Sequence, residues 1–359
     1  MSRKNRTALI NTASTLLTIL IALALGAILV VLSENNAGTA YAAILRGAFG
    51  SRQKISELFV KLVPILMMGF GISIAYKAQL WNIGGAGQFT MGSISSMAVA
   101  LYVPLPYVLR IPLCMLTAIA AGALWAALAG WLKNRFNANE VISTLMLSHI
   151  ANYFLLYLIN GPMHDPYSDL SQSDIIPEEM RLIRLFGSNY RVNFGLILLI
   201  IAIIFMLFFW RTVTGYRINL IGQGEKVSTY AGVNAKRTVI VTMLISGGFC
   251  GLAGWIELFG LQFRLLDGIA SNYGDIATIV ALLGSLNPAG IIAASAFFSV
   301  LICGGASMQR MTSVPYSVVD AIQGLIIIFV IAKASFSERI DAAVSKLTRK
   351  RKETETDAE

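Results

Sequence analysis

The feature that most constrains this chain is a series of uninterrupted apolar runs, each about 18 to 24 residues long. At 1.5 Å per helical residue, such a run crosses the ~30 Å hydrocarbon core of a bilayer. Hydrophobic residues make up 56% of the 359 residues and charged residues 13%, which is about half the charged share of a soluble domain. The pattern predicts an all-α, polytopic integral membrane protein with about ten transmembrane helices.

Five candidate spans fall in each half of the chain. They are Ala8–Leu32, Leu58–Tyr76, Ala86–Val103, Ile111–Leu132, Val141–Ile159, Phe194–Trp210, Val239–Phe259, Ile276–Leu286, Ala289–Cys303 and Val314–Ala332. The eighth and ninth are short and are joined by Asn287 and Pro288, so they form either two spans or one broken or re-entrant pair. We assign residues 1–335 to the transmembrane domain and 336–359 to a charged tail.

Lysine and arginine indicate the orientation, because short cytoplasmic loops carry most of them. Ten spans with an internal N-terminus place 18 of the 28 basic residues inside the cell. We therefore expect both termini in the cytoplasm of a bacterial plasma membrane. Because the basic residues lie between apolar runs rather than on a soluble face, they do not indicate nucleic-acid binding.

Enzyme signatures are missing from the sequence. No G-x-x-x-x-G-K-[ST] loop is present to hold ATP, and neither His149 nor His164 belongs to an H-E-x-x-H motif. Cys114, Cys250 and Cys303 lie in apolar runs without metal-ligand spacing. We therefore predict no catalytic residue, no metal site and no cofactor on this chain, and any ATP-derived energy must come from another chain.

The loop at residues 211–237 is long for a simple connection and partly apolar. Three of its residues share one face of a short predicted helix: Val227, Tyr230 and Ala231. Gly224 can begin this helix and Gly232 can end it. A helix of one or two turns is not stable alone in water, so it docks either on this chain's own surface or in a groove of a partner.

Two polar stripes run through predicted spans. The fifth span carries Glu140, Thr144, Ser148 and Asn152 on one face, with His149 beside them, and the tenth carries Tyr316, Asp320 and Gln323. Such residues either line a solute pathway or join helices to one another. A third candidate is Gln88, which closes the glycine-rich stretch that leads into the third span.

Several motifs, in order along the chain, resemble the permease subunits of bacterial ABC importers for simple sugars and nucleosides. They are NIGGAGQ (82–88), NEVISTLML (139–147), AGVN (231–234), SGGFCGLAG (246–254) and IATIVALLGSLNPAGI (276–291). The second and last resemble the nucleoside branch, which is served by basic-membrane-protein-type lipoprotein receptors. The resemblance implies the fold of a type II ABC importer permease.

The resemblance also implies the partners. These are ABC ATPase subunits that carry ATP and Mg²⁺, a second permease subunit that is often a paralogue, and an extracellular substrate-binding lipoprotein. The family's coupling helix would fall at Gly224, Glu225, Val227, Tyr230, Ala231 and Gly232. Gly224 stands where the family commonly has Asn, and Ser228 where it commonly has Ala.

The mechanism we expect is alternating access driven by ATP on the partner subunits, with Gln88, Thr144, Ser148, Asn152 and Asp320 lining the pathway. The main alternative is a secondary transporter driven by an ion gradient, in which Glu140, His149 and Asp320 relay ions. A membrane scaffold without transport is a third reading.

Overall fold

The computed structural model describes residues 19–32, 34–187 and 189–329, and this part of the chain is built from helices. The α-helices in chain order are α1 (Ile19–Leu32), α2 (Ala37–Phe49), α3 (Arg52–Lys77), α4 (Gly85–Tyr102), α5 (Tyr107–Phe136), α6 (Glu140–Ile159), α7 (Gly195–Phe209), α8 (Val213–Gly222), α9 (Glu225–Tyr230), α10 (Ala235–Glu257), α11 (Tyr273–Leu283), α12 (Pro288–Met311) and α13 (Ser317–Phe329). A π-helical segment, Leu258–Gln262, extends α10. The β pairing within the described residues is limited to isolated bridges.

Five of these helices are long and apolar enough to cross a membrane, and up to seven spans result if each of two bent pairs counts as one. The five are α3, α5, α6, α10 with its π-helical extension, and α12. The pairs are α1 with α2 and α7 with α8. The all-α, multi-pass class predicted from the apolar runs is confirmed.

The helix boundaries correct the prediction in places. α2 was not predicted, and the ninth span continues to Met311 rather than ending at Cys303. α11 has 11 residues, which at 1.5 Å each gives roughly 16 Å, about half of the ~30 Å core. The beginning of the first predicted span and the charged tail lie outside the described residues.

Side-chain caps fix where several helices begin. Asn139 accepts a hydrogen bond from the Val141 amide (2.9 Å) at the start of α6, and Asn234 accepts one from the Arg237 amide (3.0 Å) at the start of α10. These oxygens satisfy backbone donors that lack a partner within the first helical turn. The loops that carry the two asparagines therefore end sharply at the membrane-crossing helices.

The chain divides into two compact units, residues 48–303 and the combination of 1–47 with 304–359. The larger unit has its core along α3, α4 and α10 with its π-helical extension, where buried side chains include Phe70, Phe89 and Phe259. In the smaller unit, the Tyr41 hydroxyl donates to the Leu23 carbonyl (2.6 Å), which ties α2 to α1.

A seam of small residues joins α5 to α10. Gly247 and Gly251 on α10 face a row of small residues on α5, Ala118, Gly122 and Ala126, which are almost completely buried. A Cβ atom at Gly247 would come within 3.0 Å of the Gly122 oxygen. The two backbones are therefore in direct contact, as small-xxx-small helix pairs in membranes are.

Candidate coupling segment and pathway residues

The loop after α7 folds into two short helices, α8 and α9, before α10 begins. Gly224 precedes α9 with φ of 123° and Gly232 follows it with φ of 69°. Residues other than glycine rarely adopt such backbone angles. The two glycines therefore allow the chain to turn sharply at each end of a six-residue helix. The predicted helix bounded by Gly224 and Gly232 is present.

The face predicted for docking points away from the rest of the chain. Tyr230 is 94% exposed and Val227 is 42% exposed, and Ala231 is exposed beside them. Ser228 on the opposite face is completely buried. α9 thus packs on its own chain through the Ser228 side, while an aromatic and an aliphatic side chain remain uncovered. For Glu225 only the backbone, in the first turn of α9, is described.

The ends of this segment are fixed to neighbouring helices. The Lys77 ammonium lies 4.5 Å from the centre of the Trp210 ring where the loop begins. Where it ends, the Asn134 amide donates to the Lys236 carbonyl (2.8 Å), which joins the end of α5 to the start of α10. The uncovered face of α9 is therefore presented from a loop that is attached at both sides.

The polar stripe of α6 lies against the start of α4. The Ile83 amide donates to the Thr144 hydroxyl (3.3 Å), and the Gly87 amide donates to the Ser148 hydroxyl (3.2 Å). Thr144 is 1% exposed, whereas Ser148 and Asn152 are partly buried. In this conformation Thr144 and Ser148 join two helices, and their role in the pathway stays a prediction.

Gln88 forms a reciprocal amide pair with Asn82. The Gln88 amide donates to Asn82 Oδ1 (2.7 Å), and Asn82 Nδ2 donates to Gln88 Oε1 (3.1 Å) and to the Ser246 hydroxyl (2.9 Å). Each of the three residues is at most 1% exposed. The pair closes the turn that leads into α4 and attaches it to α10.

The remaining charged candidates occupy different surroundings. Glu140 forms an ion pair with Lys133 (2.7 Å) that joins the end of α5 to the start of α6. His149 is exposed on α6. Asp320 is exposed on α13, which belongs to the smaller unit, whereas Gln88, Thr144, Ser148 and Asn152 belong to the larger one.

One polar cluster was not found by the sequence analysis. Lys61, Tyr273 and Glu257 form consecutive hydrogen bonds between α3, α11 and the end of α10. The signal was present, because Lys61 and Glu257 are charged residues inside two predicted apolar spans.

We expect Asn82→Ala to lower the free energy of unfolding by about 1 to 3 kcal/mol, since it leaves the buried Gln88 amide without its partner. The thermal midpoint of the purified protein in detergent measures this effect. Asn160→Ala is the matched control, because the exposed Asn160 amide also donates to a carbonyl, that of Leu156 (2.8 Å). Equal midpoints for the two variants would contradict the structural role of the pair.

Comparison with known proteins identifies the family. A family model described as "Branched-chain amino acid transport system / permease component" matches residues 54–331. The nucleoside ABC transporter permease of Lactococcus lactis is 32% identical over 347 residues, covering 93% of each chain. The guanosine ABC transporter permease of Bacillus subtilis is 31% identical, covering 88% of this chain and 91% of its own. The glucose ABC transporter permease of Haloferax volcanii is also 31% identical, covering 89% of this chain and 87% of its own.

Each of these matches spans most of the chain, and they confirm the resemblance drawn from the five motifs. The protein is therefore a transport subunit that crosses the membrane several times, rather than an enzyme. The chain belongs to the family of ABC importer permeases.

Proposed function

We propose that this permease moves nucleosides or simple sugars into the cell, and that α9 transmits the movement of partner ATPase subunits to its membrane helices. The observation that carries the coupling role is the uncovered Tyr230 on a helix of six residues. So short a helix does not hold its shape by itself, and an almost fully exposed aromatic side chain beside Val227 is typical of a binding surface.

The solute class is supported by the neutral hydrogen-bonding groups among the pathway candidates. Gln88, Thr144, Ser148 and Asn152 carry amides and hydroxyls, which suit the hydroxyl groups of a sugar or nucleoside. Since Gln88, Thr144 and Ser148 are bonded within the chain in this structure, they would meet the solute in another conformation of the transport cycle. An amino-acid zwitterion would instead be held by charged groups. The names of the three relatives given above, two nucleoside-type and one glucose permease, agree with this choice.

A permease of this family works with ATPase and substrate-binding partners. For this chain we propose an extracellular lipoprotein receptor, a paralogous second permease, and ATPase subunits that hold ATP and Mg²⁺. We further propose that both termini lie in the cytoplasm of a bacterial plasma membrane. Lys77, Arg211, Arg217, Lys236 and Arg237 support this orientation, since they are at or near the coupling segment and basic loops favour the cytoplasmic side.

Reconstitution tests the proposal against an ion-driven transporter. Vesicles that contain the whole complex should accumulate radiolabelled guanosine or a labelled sugar only when ATP is present inside the vesicles. This applies to complexes whose ATPase subunits face the vesicle interior. Vesicles that contain this chain alone should accumulate none under a proton or sodium gradient. Accumulation by the isolated chain under such a gradient would refute the ATP-driven mechanism.

A further inference from the structure

Three residues from distant parts of the sequence meet in a buried polar cluster. The Lys61 ammonium donates to the Tyr273 hydroxyl (2.6 Å), and that hydroxyl donates to Glu257 Oε1 (3.3 Å). The Gln262 amide donates to the same carboxylate oxygen (3.2 Å). The cluster thus connects α3, the end of α10 and the first residue of α11.

The position of these groups carries a large free-energy penalty. Glu257 and Tyr273 are each 3% exposed, and Lys61 is partly buried within the apolar helix α3. A charged side chain inside a membrane helix raises the free energy of insertion, so such residues are rare there. Groups placed there at such a penalty are usually part of the transport function.

The backbone around the cluster departs from regular helix. Directly after Glu257, α10 changes to π-helical hydrogen bonding, and Phe263 then adopts a left-handed conformation with φ of 60°. Ser271, two residues before α11, has φ of 43°. π-helical turns and non-glycine residues with positive φ occur frequently where function requires a particular arrangement.

Helix α11 is too short to cross a membrane, and most of its residues are buried against neighbouring helices. The cluster attaches its first residue, Tyr273, to α3 and to the end of α10. Beyond the cluster, the Tyr273 ring contacts Phe89 of α4 at 6.1 Å between ring centres, and Gly274 lies against Ala86. The first turn of α11 therefore lies against the first turn of α4. That turn of α4 carries Gln88 and is also the part of α4 that contacts the polar stripe of α6.

The cluster is not arranged for maximum stability. Among the described residues, the ion pairs within 4.0 Å do not include Lys61 with Glu257, because the tyrosine hydroxyl stands between them. Because Lys61 and Glu257 are joined only through one hydroxyl, they lose the whole connection when that hydroxyl moves. A direct buried pair would require both charges to separate in a low-dielectric environment, which is far more costly.

We propose that Lys61, Tyr273 and Glu257 are positioning residues for transport. Their hydroxyl-bridged connection holds the first turn of α11 against α3 and α10, and it is released and restored as the solute passes. The inference rests on the ATP-driven import proposed above. It assigns to α11 a change of position during the cycle, with Tyr273 as the side chain that makes and breaks the contact.

The test is Tyr273→Phe, which removes only the bridging hydroxyl, in the whole complex reconstituted in vesicles. We expect uptake per ATP hydrolysed to fall about fivefold, the effect of one hydrogen bond. Receptor-stimulated ATPase activity should stay close to that of the unmodified protein, and the thermal midpoint should fall only modestly, because Glu257 keeps the Gln262 amide as a partner. Tyr102→Phe is the matched control, since it also loses one hydroxyl hydrogen bond (2.8 Å to the Pro162 carbonyl), and its uptake per ATP should not change.

Lys61→Arg and Lys61→Met provide a second, independent measurement. Arginine retains a donor for the Tyr273 hydroxyl. The uptake per ATP of Lys61→Arg should therefore exceed that of Lys61→Met by a factor of about three or more. Unchanged uptake per ATP in Tyr273→Phe and Lys61→Met would overturn the proposal. So would a proportional loss of uptake, ATPase activity and thermal midpoint, because that is the result of a purely structural role.

These outcomes are separate from failure of the proposed function. If ATP does not drive uptake by the unmodified complex, the import mechanism is wrong. If it does, and Tyr273→Phe transports with unchanged efficiency, only the positioning role is wrong.

Discussion

Tyr230→Ala is expected to lower solute uptake by a factor of about ten or more, while the amount of permease in the membrane stays unchanged. The reason is that an aromatic side chain that anchors a protein interface contributes about 2 kcal/mol or more to binding. The side chain is 94% exposed, so its removal leaves no cavity in this chain. The loss should therefore appear in the contact with the ATPase. Uptake into vesicles and receptor-stimulated ATPase activity, each normalised to the permease present, measure it.

Tyr216→Ala is the control for this prediction. Tyr216 is also a tyrosine of the same loop and is 60% exposed, but it lies on α8 rather than on α9. We expect its replacement to change uptake less than twofold. If both variants transport like the unmodified protein, α9 is not the docking element. If both lose transport equally, the docking surface is not specific to α9.

The second large effect is expected at the seam between α5 and α10. In Gly247→Ala, the added methyl group would lie within 3.0 Å of the Gly122 oxygen, a backbone atom that cannot move without displacing α5. Overpacking of this kind lowers the free energy of unfolding by about 1 to 3 kcal/mol. We expect a lower thermal midpoint in detergent and less folded protein in the membrane.

The adjacent residue provides the control for the seam. A methyl group at Gly248 would lie 3.4 Å from Ile119 Cγ2, which is ordinary van der Waals contact with a side chain. Gly248→Ala should therefore leave the thermal midpoint nearly unchanged or raise it slightly, because alanine favours helix. A larger loss for Gly248→Ala than for Gly247→Ala would show that the backbones do not meet at Gly247.

Much of the fold follows from the apolar runs, because a segment that buries its backbone groups in lipid has to be helical. α4 and α6 begin and end within one residue of their predicted limits. α2 was missed because Gly38 and Arg46 interrupt a short segment of moderate hydrophobicity. The π-helical extension of α10 was missed because it depends on tertiary contacts rather than on composition.

The candidate site was predictable where it depends on local periodicity. Val227, Tyr230 and Ala231 share a face because helical spacing places them there, and the structure leaves that face exposed. The partners of Thr144 and Ser148 could not be deduced, since they are backbone amides 61 residues away. Lys61 and Tyr273 are separated by 212 residues, so the sequence does not indicate that they meet.

The direct backbone contact between α5 and α10 has a mechanical consequence. Only a short turn separates α9 from α10, and α10 is held to α5 at Gly247 and Gly251 without intervening side chains that could slide or bend. Gly92 of α4 touches Gly251 in the same close manner. A force applied at Tyr230 should therefore tilt α4, α5 and α10 together as one rigid body.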